Sequence, residues 1–431
     1  MIQTAAHGTR LRVLFVNRFY APDVSATSQM LTDLAQALAR DGAAVTVVCS
    51  RQLYQDPAAR LPARDSIGGV SVCRIGGTRF GRDRLAGRAF DYLSFYLAAS
   101  ATLLKLARQV DVIVTKTDPP LLSLVGWLVA ARRGVPYVNW LQDLFPEVAS
   151  RLALSPLPRP LERLLCALRD RSLRAAECNV VLGTRMRDYL TARGIPAARL
   201  RISENWADEA ALVPLAPADS VLRRQQSLGE RFVVTYSGNL GRVHDVQTLL
   251  EAAELLRADR TTVFLMIGGG ANMRALASEA QARDLQQLRF LPYQPRSALP
   301  DSLAAGDVHL VTLLPQLEGL VVPSKLYGIL AAGRPVVFVG DTDGELARLI
   351  REHRVGVAIA SGDAPALRDA LCRLRDEPAE RIRMGARARA LFEQRYTLSA
   401  AVQRWQAVLA EVSASWGRTD PDRLPASRQT G

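Results

Sequence analysis

Apolar residues recur along this chain in two alternating rhythms. Residues 11–17, LRVLFVN, form a short β-like run, and a loop, RFYAPDVSATS, follows it. The next segment, SQMLTDLAQALARDG, puts Leu31, Leu34, Ala35 and Leu38 on one helical face and stops at Gly42. AAVTVVCS then reads as a second buried strand. Strand, helix and strand within about forty residues make a βαβ unit, whose crossover favours a parallel sheet. The pattern recurs: VDVIVTK precedes a helix from Pro120 to Arg133, VPYVNWLQD is another strand, a basic helix covers about 158–175, and CNVVLGT returns to strand.

After RISENWAD the chain loosens into residues 207–229, rich in Ala, Pro and polar side chains, which read as a linker. A second series opens with RFVVTYSGNLG and continues through DVQTLLEAAELLRA, TVFLMIGGG, MRALASEAQARD, LRFLPY, DVHLVTLLP, VPSKLYGILAAGRPVVFVG and GVAIASG. The expected fold is therefore α/β, with two Rossmann-like parallel-sheet domains facing a cleft. The divisions are 1–206, the linker 207–229, 230–394, a last amphipathic helix at 395–413 and a polar tail, 414–431, expected to be disordered.

Composition narrows the classes. A chain of 431 residues suffices for two domains with their own cores. Its five cysteines are scattered without C-x-x-C spacing, which argues for reduced thiols rather than a zinc site or disulfide framework. No run of 18 apolar residues lacks a charge, so no membrane span is expected, and the first residues are too short an apolar run for a signal peptide. The net charge of +13 implies an acidic partner. Nucleic acid fits poorly, because no zinc-finger or RNP-like motif accompanies an aromatic content of only 6%. Phosphorylated substrates near an anionic membrane fit better.

The loops that follow strands are where parallel sheets bind ligands. RFYAPDVSATSQ offers Ser25, Thr27 and Ser28 at a helix start, either to phosphate oxygens or as simple N-caps. In SGNLGRVHD, Gly238 and Gly241 allow close backbone approach, Asn239 sits between them, and Arg242 can fork onto a diphosphate. Gly268, Gly269 and Gly270 end a strand and open a helix, again as a phosphate floor or a tight turn. Only three residues of the chain are lysines, Lys105, Lys116 and Lys325. Lys325 follows Ser324, a good N-cap, and precedes two helical turns that stop at Gly333. A lysine in a first turn opposes the helix macrodipole unless an anion shares both. NWLQDLFPEVAS places Gln142, Asp143 and Glu147 after a buried strand, where Asp143 can take a proton or face developing positive charge. Asn205, in SENWAD, either lines the cleft or packs the hinge. The DTD at 341–343 resembles metal-binding D-x-D motifs but lies in a loop after another strand. No metal or other cofactor is assigned, and cation work falls to Arg242 and Lys325.

These stretches carry a resemblance. NRFYAPDVSATSQMLTDLAQALARDGAAVTVV, VNWLQDLFPEVAS, YSGNLGRVHDVQTLLEAAELL and VPSKLYGILAAGRPVV together resemble family 4 glycosyltransferases of the GT-B fold, in the branch that builds bacterial O-antigen, capsule and exopolysaccharide. The resemblance spans roughly residues 11–412. It implies a nucleotide-sugar donor, expected to be UDP-linked, held by the second domain, and an acceptor held by the first. It also implies retention at the anomeric carbon and a last helix that crosses back to the first domain. Family members often carry two glutamates separated by seven residues. Here the second position is Gly328 and the first is Leu320, so the motif is broken. Glu318 is expected to swing in toward the donor sugar instead, and backbone near Leu326 and Tyr327 to recognise the ribose.

The expectation is thus a cytoplasmic glycosyltransferase, peripheral on the inner face of the cytoplasmic membrane, with a lipid-diphosphate-linked saccharide as acceptor. A sugar-nucleotide 2-epimerase of the same architecture, or an inactive nucleotide-binding subunit, remains as an alternative. The membrane reading rests on the basic helix. Leu161, Leu164, Leu165 and Leu168 form one stripe flanked by arginines, either a core-facing stripe with a solvated basic back or a lipid-facing one.

Overall fold

A computed structural model describes residues 10–54, 56, 58–80, 85–153 and 158–419, with side chains omitted at 85–86 and 417–419. The first sheet comprises β1 (Arg12–Val16), β2 (Ala44–Ser50), β3 (Arg64–Ile67), β4 (Val70–Ile75), β5 (Val112–Thr115), β6 (Tyr137–Trp140), β7 (Cys178–Val181) and β8 (Leu200–Ile202). Its order is β3-β4-β2-β1-β5-β6-β7-β8, parallel except for the β3–β4 hairpin at one edge. The second comprises β9 (Phe232–Asn239), β10 (Thr262–Gly269), β11 (Leu288–Leu291), β12 (Val308–Thr312), β13 (Val336–Gly340) and β14 (Gly356–Ala360), in the order β11-β10-β9-β12-β13-β14 and parallel throughout.

Side-chain alternation along β1 shows how the first sheet is sandwiched. Val13 and Phe15 point into a core shared with helices Ala26–Arg40 and Leu398–Thr419, while Leu14 and Val16 point into one shared with helices Leu85–Leu106 and Leu122–Arg133. The β3–β4 hairpin and the helix Leu85–Leu106 lie in a stretch to which the sequence pattern assigned no element.

The last helix starts with its first N–H groups bound to the Glu209 carboxylate and the Ala207 carbonyl, and docks on the first domain. Trp405 is fully buried, with its ring centroid 4.8 Å from that of Trp140, which stacks on Trp206 at 5.7 Å. The helix runs through Thr419, six residues beyond the expected end at 413, because Val412 is still buried against the first sheet and the Ser415 hydroxyl donates to its carbonyl. Residues 420–431 of the expected tail lie outside the described residues.

The segment 207–229 is also more ordered than a linker. It holds a helix, Val221–Gln225, whose first N–H groups donate to the Asp301 carboxylate at 2.6 and 2.9 Å. The buried Arg223 guanidinium behind it donates to the carbonyls of Gly229, Ala305 and Arg231 and pairs with Asp307. A buried guanidinium needs this many acceptors, and meeting the need fixes the segment on the second domain.

The Trp405 cluster generates a stability prediction. Trp405→Ala should destabilise the first domain by about 3–5 kcal/mol, the range for removing a buried indole. Gln403→Ala, on the exposed side of the same helix, should leave the melting temperature within about one degree. Comparable melting of both variants would show that the helix is not anchored by its tryptophan.

Candidate active site

Strand order reverses between β1 and β5 in the first sheet and between β9 and β12 in the second. Loops leaving the carboxyl ends of such strands diverge and open a crevice. In the second domain, the ends of β9 and β10 pair in register, Gly238 with Gly268 and Asn239 with Gly269. Gly238 and Gly268 have φ of 124° and 128°, and a Cβ on Gly268 would lie 2.2 Å from the Gly238 carbonyl oxygen. Only glycine permits that approach, and it leaves a floor of bare backbone.

Lys325 reaches over this floor, its Cε 3.7 Å from where a Gly238 Cβ would be. Its ammonium donates to the Tyr236 hydroxyl and lies 3.9 Å from the Tyr236 ring centroid. Tyr236 in turn donates to the Asn239 carbonyl at 2.9 Å, so lysine, tyrosine and loop form one hydrogen-bonded chain. His244 Nδ1 is 2.7 Å from the Thr312 carbonyl oxygen, which only accepts. Nδ1 therefore carries the proton, and Nε2 turns its lone pair to Lys325 at 3.4 Å. Burial, reinforced by the Lys325 charge, pushes His244 down to about 3, and burial pulls Lys325 down to about 7. No carboxylate pairs with Lys325 among the described residues. The ammonium is held by neutral partners and left open to an incoming anion. Arg242 stands exposed in the same turn, with no ion pair among the described residues. Gly269 is roofed by the Tyr293 ring.

Several expected residues do other work. Ser324 has helical backbone angles and makes no side-chain cap, since the turn already begins at Pro323. Leu326 and Tyr327 point into the core, Tyr327 edge-on to Tyr396, and their N–H groups are bonded back within the turn. Glu318 does not swing toward a donor; its carboxylate accepts the Glu345 N–H at 2.8 Å and caps the helix Glu345–Glu352. Burial first, then repulsion from Asp341 and Glu345, raises its pKa. A Cβ added to Gly328 would meet only Leu303 and Leu212, at 3.8 and 3.9 Å, so the position faces apolar neighbours with room to spare.

Across the cleft, Asp143 follows β6, and the next residue, Leu144, donates its N–H to Leu320 in the loop that leads to Lys325. The Asp143 carboxylate makes no hydrogen bond among the described residues, and burial, with Asp118 adding to it against Lys116, raises it to about 6. Lys116, at the end of β5, is the residue the sequence reading passed over. Its ammonium is buried, donates to the Thr27 carbonyl at 3.1 Å and lies 3.6 Å from the Trp140 ring centroid. The rarity of lysine, which singled out Lys325, pointed to it equally. Lys116, Asp143, Thr115 and Asn139 line a cavity of about 20 Å³, room for one water.

The remaining acceptor-side residues are occupied by structure. Ser25 precedes the helix without capping it, and its hydroxyl donates to the Asp23 carboxylate. Neither Thr27 nor Ser28 caps it either: Thr27 gives its carbonyl to Lys116, and Ser28 donates to the Asp23 carbonyl. Gln142 and Asn205 exchange two amide hydrogen bonds of 3.2 Å in the interior. Glu147 turns away into a buried ion network, held by Arg169 at 2.6 Å and by the Tyr189 hydroxyl at 3.0 Å. Burial pushes its carboxyl up, but Arg169 outweighs that and holds it below the usual range. Among the described residues no group of three or more His, Cys, Asp or Glu is placed to hold a metal ion.

Two family models match the chain, a glycosyl transferase 4-like domain over residues 25–206 and glycosyl transferases group 1 over residues 231–377. The chain is 26% identical over 398 residues to the probable glycosyltransferase WbjE of Pseudomonas aeruginosa, covering 92% of this chain and 97% of that protein. It is 29% identical over 275 residues to the putative colanic acid biosynthesis glycosyl transferase WcaI of Escherichia coli strain K12, covering 63% and 66%. Its fold matches that of Anabaena HepE, solved in complex with UDP and glucose, with a TM-score of 0.70 at 18% identity, covering 93% and 100%.

The open ammonium predicts a pH-dependent anion affinity. An anion binds the protonated form, and with a pKa of about 7 in the free protein Lys325 loses its proton above that pH. Pyrophosphate affinity should fall by up to about tenfold per pH unit from 7 to 9, and binding at pH 8 should take up protons. Lys325→Ala should lose about 10–100-fold in affinity at pH 7, the scale of one charge-assisted hydrogen bond, and flatten the slope. Calorimetry in buffers of different ionisation enthalpy reads both; a wild-type slope in the variant would remove Lys325 from the anion site.

Proposed function

Because the chain belongs to the family 4 glycosyltransferases of the GT-B fold, we propose that it moves a sugar from a UDP-linked donor to a lipid-diphosphate-linked saccharide, with retention at the anomeric carbon. The process served is the assembly of a bacterial surface polysaccharide, at the cytoplasmic face of the inner membrane. The observation that carries the reading is the pairing across one cleft of Lys325 over the glycine floor, an ammonium without a carboxylate partner among the described residues, and Asp143, a carboxylate without a hydrogen bond among them. WbjE, named as a probable glycosyltransferase, supports the reaction class, WcaI, named for colanic acid biosynthesis, supports the process, and the UDP and glucose bound to HepE support the donor class.

In this reading the diphosphate lies on the Gly238 and Gly268 backbone with its charge toward Lys325 and Arg242. The bond from the anomeric carbon to the diphosphate breaks, and the acceptor oxygen bonds to that carbon. Asp143, ionised above about pH 6, faces the positive charge that develops on the sugar and accepts the hydroxyl proton. Lys116 holds the Thr27 carbonyl and so ties the first turn of the helix Ala26–Arg40 to the Asp143 side of the cleft. Closure of the two domains excludes water that would otherwise hydrolyse the donor.

Incubation with a panel of UDP-sugars, with and without a lipid-linked saccharide, tests the reading. Transfer should need the acceptor; a new nucleotide-sugar formed without it would instead establish an epimerase, and nucleotide binding without turnover an inactive subunit. Asp143→Asn should lower kcat by about 10²-fold or more while keeping donor affinity. Because the folded pKa is raised, the working carboxylate is populated only above about pH 6, so wild-type kcat should rise through that pH and then level. Lys116→Met removes a cation that holds this pKa down and should move the rising limb to higher pH. Wild-type turnover in Asp143→Asn would exclude the carboxylate from the mechanism.

A further inference from the structure

The helix Arg159–Ala175 is turned in an unexpected sense. Its buried positions are Cys166, Arg169, Asp170, Ser172 and Leu173, so the face toward the protein is largely the ion network of Glu147. The leucine stripe faces outward, with Leu164 54% exposed and Leu161 and Leu168 also exposed. Two further helices continue this surface. Leu122–Arg133 packs against both Arg159–Ala175 and Leu85–Leu106, so the three lie side by side on one face of the first sheet. Each shows apolar side chains to solvent: Leu128 on the middle helix, and Phe90, Leu93 and Leu97 at i, i+3 and i+7 on Leu85–Leu106. Leu97 is 65% exposed. Isolated exposed leucines need no account, but two rows with Leu128 between them on adjacent helices do.

The charge on the same helices has one sign. Lys105, Arg132, Arg159, Arg163, Arg171 and Arg174 are exposed, whereas Asp91 and Asp170 are buried and only Glu162 is partly exposed. We propose that this three-helix face docks the protein on an anionic lipid bilayer, with the apolar rows entering the interface and the arginines among the headgroups. A second copy of the chain is disfavoured as the occupant, since a two-fold contact would oppose arginine to arginine. The face also borders the cleft: Tyr96 of the helix Leu85–Leu106 donates to the Pro120 carbonyl, just after Lys116, and Arg18, in the loop after β1, lies over the Tyr92 ring at 5.0 Å. Docking would present the acceptor side of the cleft to the membrane. The inference rests on the proposed lipid-linked acceptor for its purpose, not for its geometry.

Co-sedimentation of the full chain with vesicles tests it. Binding should be strong to phosphatidylcholine vesicles containing phosphatidylglycerol, absent from pure phosphatidylcholine, and lost at about 0.5 M salt, where screening shortens to a few ångströms. Arg163→Glu with Arg171→Glu should weaken binding at least about tenfold, and so should Leu93→Ser with Leu97→Ser, all exposed sites whose substitution leaves the fold intact by circular dichroism. Equal binding to both vesicle types, binding unchanged in both variants, or no vesicle binding would overturn the proposal, as would a dimer in sedimentation equilibrium that both variants dissociate. Nucleotide binding and turnover toward a detergent-solubilised acceptor, measured on the same variants, keep the two ideas apart. Vesicle binding without turnover would sink the catalytic reading alone, and turnover without vesicle binding would sink the docking face alone.

Discussion

An ammonium group withdrawn from water must find compensation, and this chain withdraws two of its three. Lys116 lies over Trp140 at 3.6 Å and donates to the Thr27 carbonyl, and Lys325 lies over Tyr236 at 3.9 Å and has the Tyr236 hydroxyl and His244 Nε2 as neutral acceptors. Cation–π contact and one or two neutral acceptors do not replace full hydration, so both groups carry lowered pKa values and both favour nearby negative charge. They stand at corresponding places, where a central strand of each sheet ends at its switch point. Much of the site follows from that need. The glycine floor is bare where Lys325 overhangs it, and the Asp143 carboxylate stays partly ionised because Lys116 offsets the cost of burying it.

The two domains communicate through capped helix ends rather than through the cleft residues themselves. Glu318 caps the helix Glu345–Glu352, and the Glu345 carboxylate at its start crosses to the first domain to accept the N–H groups of Thr184 and Arg185, at 3.0 and 2.7 Å. A Cβ at Gly183 would lie 2.6 Å from the Glu345 carboxyl carbon, so a larger residue there would have to displace that carboxylate. Charge-assisted capping of this kind is directional and lost within an ångström or so, so the relay defines one relative placement of the domains. The apolar seam beneath it, where Leu141 and Leu144 meet Leu317, Leu320 and Leu326, is tolerant of sliding by comparison.

What was legible in the sequence divides along the same physical line. Strands such as β1, β2 and β9 declared themselves because buried parallel strands are near-continuous aliphatic runs, and the two-sheet α/β architecture followed from their alternation with helices. Gly333 stopped its helix with φ of 64°, as its position implied. Polar side chains were harder, because their roles depend on partners far along the chain. Glu318, expected at the donor sugar, caps a helix through the N–H of Glu345, and Gln142 and Asn205, 63 residues apart, bond to each other. No local pattern distinguishes a carboxylate aimed at a ligand from one aimed at a helix end.

The helix Arg159–Ala175 carries the argument furthest. Periodicity reports that four leucines share a face, but not whether that face turns inward, since the inference assumes that the opposite face is the costlier one to bury. Here the opposite face holds Arg169 and Asp170, which with Glu147 and Arg193 make a neutral ion network that is satisfied only inside. Removing one member of such a network leaves an uncompensated charge at a cost of about 3–5 kcal/mol, whereas an exposed leucine gives up only about 1.5–3 kcal/mol of burial. Once the network forms, turning the helix to bury its leucines would break several such contacts together. The stripe is therefore held outward by the ions behind it, and an apolar surface beside the cleft becomes a stable feature of the folded chain.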